Sequence, residues 1–126
     1  MTLLLDSDVI FDFLRGHSLA VSFVDGLSEE PATSVVVVAE LYAGVRDGSE
    51  QTKLETLLAM TTVISLTPKA AVEGGLFRRT YGKSHGAGLD DCLIGATTKL
   101  SGSRLGALNA KHFPMLADVL VPYSKT

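Results

Sequence analysis

The sequence predicts an α/β fold in which a mostly parallel sheet is covered by helices on both sides. Three observations carry that expectation. Short apolar runs such as Leu3-Leu4-Leu5 stop abruptly at polar residues, as strands buried on both faces do. Such runs alternate along the chain with segments of helical period, the pattern of a parallel sheet built from β-α units. Turn residues separate them, at Asp47-Gly48-Ser49 and at His85-Gly86-Ala87-Gly88.

The elements follow in order. Leu3 to Asp6 is a first strand, and Asp6 stands where it leaves the core. Val9 to Leu14 is a short helix ending near Arg15-Gly16, and Ser18 caps a second helix through about Leu27. After Glu29-Glu30-Pro31, Ala32-Thr33-Ser34 reads as a short strand. Val35 to Val38 is strand-like by propensity alone. Yet Val37, Leu41 and Gly44-Val45 fall at helical spacing and Ser34 is a good cap, so a buried helix from about Val35 to Arg46 is expected. Glu50 to Met60 repeats Leu54, Leu57 and Leu58 at helix period, and Thr62 to Leu66 alternates as a strand. Thr67 caps a helix that begins at Pro68 and runs to about Ser84. Its Gly74-Gly75 pair costs roughly 2 kcal/mol against alanines and implies a kink or close packing. Asp90 to Leu100 is helical, with Leu89, Leu93, Ala96-Thr97 and Leu100 on one stripe. Arg104 to Leu108 is a strand, Asn109 to Phe113 a turn or short helix, and Asp118 to Val121 a last strand.

The chain of 126 residues makes one domain over residues 1–126. With glycine, its apolar share is about 55%, which mildly favours a buried subunit interface. Asp6 and Asp8 interrupt the amino-terminal apolar stretch, so no signal peptide or membrane span is expected and the protein reads as cytoplasmic. Cys92, the single cysteine, reads as a packed hydrophobe. The net charge of −3 argues against a surface that simply coats nucleic acid, but it is unevenly spread. Residues 1 to 68 hold ten acids against three bases, whereas 69 to 112 hold Lys69, Arg78, Arg79, Lys83, Lys99, Arg104 and Lys111 against three acids. That basic part is either a phosphate-facing side or a set of ordinary solvated helix faces.

Four polar residues from distant stretches can meet. In a parallel sheet all strand carboxyl ends point one way, so Asp6 and Asn109 share an edge. Glu40, about two turns into its helix, and Asp91, in the first turn of its own, lean over that edge. A set of oxygen donors of this kind suits magnesium or manganese rather than zinc. A divalent ion removes the mutual repulsion of the acids, polarises a phosphodiester and activates water, so metal-dependent phosphodiester hydrolysis is the chemistry suggested. Plainer roles compete. Asp90 suits a helix dipole and cap, Asp8 and Asp12 suit capping or the surface, and Asn109 is equally a turn residue. His17, His85 and His112 are isolated and read as loop or packing residues.

The order of these motifs resembles the PIN-domain ribonucleases, most closely the VapC toxin branch of bacterial toxin–antitoxin systems. The resemblance lies in Leu4-Leu5-Asp6-Ser7-Asp8-Val9-Ile10, Ser34 to Glu40-Leu41 with Gly44, Asp91-Cys92-Leu93-Ile94-Gly95-Ala96-Thr97, and Leu108-Asn109-Ala110-Lys111-His112-Phe113-Pro114. It implies a PIN-like three-layer α/β/α sandwich and a magnesium-dependent endoribonuclease acting on structured RNA such as tRNA or rRNA, with manganese able to substitute. It also implies a homodimer inhibited by a cognate VapB-type antitoxin. By motif position Asp6, Glu40 and Asp91 carry over as the acids, with Asp6 and Asp91 as direct metal ligands, Glu40 as a direct or water-bridged one, and Asn109 as the fourth position. Asp8 stands where Asn is common in the family, and Ala107 where Thr often is.

Two other readings remain open in the sequence. Asp6-Ser7-Asp8-Val9 satisfies the nucleophile motif of haloacid-dehalogenase-like phosphatases, with Thr33-Ser34, Lys69 or Lys83, and Asp90-Asp91 as their remaining motifs. That reading needs the last acids to follow a strand and leaves Glu40 without a task. A PIN-like module that binds RNA or antitoxin without catalysis is the other.

Overall fold

A computed structural model describes residues 1–125. Its elements alternate as β1 (Leu3–Leu5), α1 (Ser7–Leu14), α2 (Ser18–Asp25), β2 (Ala32–Ser34), α3 (Val35–Gly44), α4 (Ser49–Ala59), β3 (Thr62–Ile64), α5 (Pro68–His85), α6 (Leu89–Leu100) and β4 (Arg104–Gly106). A short 3-10 turn, Ala110–His112, follows. All pairings are parallel and the strand order is β3-β2-β1-β4, with Leu4 opposite Ala32 on one side and Leu105 on the other. Leu4, Leu5, Ala32, Thr33 and Leu105 are essentially inaccessible. The triple leucine is therefore a central strand covered on both faces. Among the described residues no helix is long and apolar enough to cross a membrane.

Local chemistry explains most boundaries. Ser34 Oγ accepts from Val37 N at 3.1 Å, so the valine run starts a helix rather than continuing the strand. Thr67 Oγ1 does the same for Ala70 N, with Pro68 in the first turn. Gly44 ends α3 because a Cβ there would stand 2.8 Å from the Phe11 ring, and Val45 is already extended. Gly74 is the expected close packing. A Cβ on it would meet Leu93 Cδ2 at 2.7 Å and Leu93 Cα at 3.1 Å, so α5 rests directly on α6.

Four expectations need correction. Ser18 opens α2 from within, and the cap position belongs to His17. The strand expected to reach Leu108 ends at Gly106, because Leu108 N donates to Asp8 Oδ2 at 3.0 Å instead of to a ladder. Asp118 to Val121 forms no strand. Only Leu120 bridges to Gly106, because Asp118 is turned to Arg104 Nη2 at 2.9 Å and Pro122 lacks an N–H. The expected stripe on α6 fails at both ends, since Leu89 and Leu100 are exposed, while Cys92 and Ile94 through Thr98 are buried. This helix is enclosed by α5, α3 and β4, so small residues fill its contacts where a stripe of leucines would not fit.

Candidate active site

The sheet has one topological switch point. From β1 the chain moves outward to β2 and β3, then crosses back to β4 on the other flank of β1, leaving a crevice at the carboxyl ends of β1 and β4. Asp6 ends β1 at that point, its N–H donating to Gly106 O at 2.9 Å, and Asn109 follows β4. The start of α6 brings Asp90 and Asp91, and α3 brings Glu40.

These carboxylates act on one another. Burial pushes Asp6 up to about 7, helped by the charges of Asp8, Asp91 and Asp90 and opposed only by the Ser7 N–H. Burial, then a hydrogen bond and charge from Asp90, push Glu40 up to about 8, with Asp6 and Asp91 adding to it. Asp91 is raised by burial and by Asp90, against the Gly88 N–H and His112. Its Oδ2 accepts from Gly88 N at 3.4 Å and stands 3.9 Å from His112 Nδ1. Gly88 makes room for the neighbouring Asp90, because a Cβ there would lie 2.5 Å from Asp90 Oδ1.

The structure thus brings Asp6, Glu40 and Asp91 together and places Asn109 differently. Its Nδ2 pairs with the His112 ring at 3.2 Å, so it reaches Asp91 through that histidine. Three residues given plainer roles by the sequence also belong here. Asp90 acts on Glu40, whose carboxyl it pushes up, rather than serving only the helix end. Asp8 ties α1 to the loop after β4, accepting from Val9 N at 2.7 Å and Leu108 N at 3.0 Å. His112 stands beside Asp91, and its position three residues after Asn109, one turn on, was the signal available in the sequence. The phosphatase reading loses its motifs. Asp90 and Asp91 enter on a helix, Thr33 Oγ1 donates to Leu5 O at 2.8 Å, and Ser34 caps α3.

The donor set fits a hard divalent cation. Every nearby acid raises its neighbours, and Glu40 Oε1 is buried with no hydrogen-bond partner, an acceptor that a cation or its water would satisfy. Among the described residues no three acids, histidines or cysteines already close on a common point, so the donors are gathered but not drawn in.

Comparison with known proteins agrees with this geometry. A family model for the PIN domain matches residues 3–111. The chain is 38% identical over 125 residues to Ribonuclease VapC19 of Mycobacterium tuberculosis, spanning 95% of this chain and 98% of that protein. It is equally identical to Ribonuclease VapC10 of the same organism, over 97% and 93%. In fold it is similar to a chain of a toxin-antitoxin complex from Klebsiella pneumoniae, with TM-score 0.82, 21% identity and coverage of 98% and 99%. FitAcB from Neisseria gonorrhoeae superposes with TM-score 0.76 at 25% identity, covering 96% and 98%.

Proposed function

The chain belongs to the PIN-domain family, and on that premise we propose that it is a metal-dependent endoribonuclease, the toxin of a type II toxin–antitoxin pair. Its substrate is structured RNA, tRNA or rRNA, its metal magnesium with manganese as a substitute, and its inhibitor a VapB-type antitoxin; the active species is a homodimer. The observation that carries the reading is the cluster of buried, mutually repelling carboxylates at the switch point of the sheet, with no lysine or arginine paired to it among the described residues.

Asp6 and Asp91 would hold the cation, with Glu40 bound directly or through water. When bound, the cation supplies Lewis-acid polarisation of a phosphoryl oxygen and offsets the repulsion among the acids. The chain does the rest. β1 fixes Asp6 rigidly at the edge, the Gly88 N–H holds Asp91 folded back, and Glu40 Oε1 is the open acceptor for a proton from the attacking water. Asn109 and His112 pair beside Asp91.

The test is Glu40→Gln assayed on total RNA with magnesium. Loss of cutting with a metal-free thermal melt no lower than wild type is expected, whereas cutting at the wild-type rate refutes the assignment. A binding-only module would retain RNA in chelator and never cut it, and a phosphatase would trap phosphate on Asp6.

A further inference from the structure

The acidic crevice repels its own substrate. RNA brings one negative charge per nucleotide to a place where Asp6, Asp8, Glu40, Asp90 and Asp91 already stand together, so cations beside the crevice must hold the strand.

The packing of α5 on α6 places them. Ala70 lines the same cleft as Thr97, Leu100 and Ser101, and Gly74 lies against Leu93, so the two helices run antiparallel. Eleven residues of α5 follow Gly74, whereas four residues of α6 precede Leu93. At about 1.5 Å per residue, α5 overshoots the start of α6 by roughly 10 Å. Because α6 starts at the acidic edge, the overshoot projects past that edge. Arg78 stands at its root, exposed and in no ion pair among the described residues. Arg79 and Lys83 lie about 140° and about 180° round α5 from Gly74, on the face turned away from α6. Arg78 is laid toward the projecting end, since its Nη1 occupies the space that a Cβ on Gly82 would take. Its charge reaches Cys92, the neighbour of Asp91. Lys111 is exposed on the 3-10 turn, next to His112, whose ring stands 3.9 Å from Asp91, and is likewise without an ion pair.

We propose that an RNA strand is held beside the acidic cluster by two cationic banks, its phosphates contacted by Arg78 at the root of the overshoot and by Lys111 on the 3-10 turn. Contacts of this kind hold the backbone and carry no sequence information, so the banks set affinity and register rather than the cut site.

This rests on the ribonuclease reading, and the experiment separates the two. Binding is read in the Glu40→Gln background by anisotropy of labelled bulk tRNA at several salt concentrations, and cutting is read in parallel with the unsubstituted chain. Arg78→Ala and Lys111→Ala should each weaken binding roughly 3- to 10-fold near 100 mM salt and lower the salt slope by about 1. Lys53→Ala, which removes a charge from the cleft between α2 and α4, should change neither. Unchanged affinity and slope in both charge variants, with thermal melts intact, overturns the two banks, as does tRNA binding too weak to titrate. In either case a chain that still cuts RNA keeps its ribonuclease reading. Loss of binding as expected in a chain that never cuts supports the banks and removes the ribonuclease reading.

Discussion

Asp12 and Asp91 are about equally buried, with side chains 14% and 18% exposed, yet they stand in opposite electrostatic circumstances. Asp12 Oδ2 accepts from Tyr123 Oη at 2.8 Å and its Oδ1 from Lys125 Nζ at 2.7 Å, so the carboxyl-terminal segment neutralises it. Burial and the neighbouring Asp12 push the Tyr123 phenol up, which keeps its donor proton in place. Asp91 has one long backbone bond and a histidine at 3.9 Å, with acids on its other sides. Burial of a carboxylate therefore does not by itself mark a functional site in this fold. What marks it is burial without compensation inside the protein, which leaves the compensation to a ligand.

The largest effect that would break this contrast is on cleavage. Asp6→Asn and Asp91→Asn should each lower the RNA cutting rate roughly 100- to 1000-fold or more, whereas Asp12→Asn should stay within about threefold of wild type. Equal losses at Asp12 and Asp91 in a cleavage assay would erase the distinction. Stability should move the opposite way. In metal-free buffer Asp6→Asn should melt several degrees higher than wild type, because it removes repulsion, and Asp12→Asn should melt lower.

The pH response sharpens the same point. Unfolded carboxyls ionise near their ordinary values of 3.8 and 4.5, while folded Asp6 and Glu40 do so only near 7 and 8. Between those limits the folded protein keeps protons that the unfolded chain has released, so metal-free stability should fall as pH rises from about 4 to about 8. Calorimetry should show magnesium or manganese raising the melting temperature more at pH 8 than at pH 5, because the cation competes with those protons. A metal-induced shift independent of pH would show that the ion binds elsewhere. The smallest effect belongs to the neutralised region. Tyr123→Phe should cost about 1 kcal/mol in denaturant unfolding, and Lys125→Ala, at a half-exposed pair, between about 0 and 1 kcal/mol.

Much of this architecture was readable from local rules. Ser34 and Thr67 announced two helix starts by the acceptors they offer, and Gly74 announced contact by the helix stability it sacrifices. The misread end of β4 has a tertiary cause, a backbone group claimed by a residue far along the chain. Leu108 N is taken by Asp8, 100 residues earlier in sequence, which ends β4 two residues short. His112 and Asp90 looked ordinary because each acquires its meaning from a partner on another element, Asp91 and Asn109 for the one, Glu40 for the other.

Sequence alone determined the alternation of strands and helices, the acids at the ends of those elements and therefore the family, because capping, period and strand burial are properties of neighbouring residues. Only the tertiary structure decided which acids are left uncompensated. Whether Asp12 finds Tyr123 and Lys125 while Asp91 is left among acids with one long backbone bond and a histidine depends on tertiary packing, for Asp12 on segments more than a hundred residues apart, and the free energy of a buried charge is set by that surrounding rather than by the residue itself.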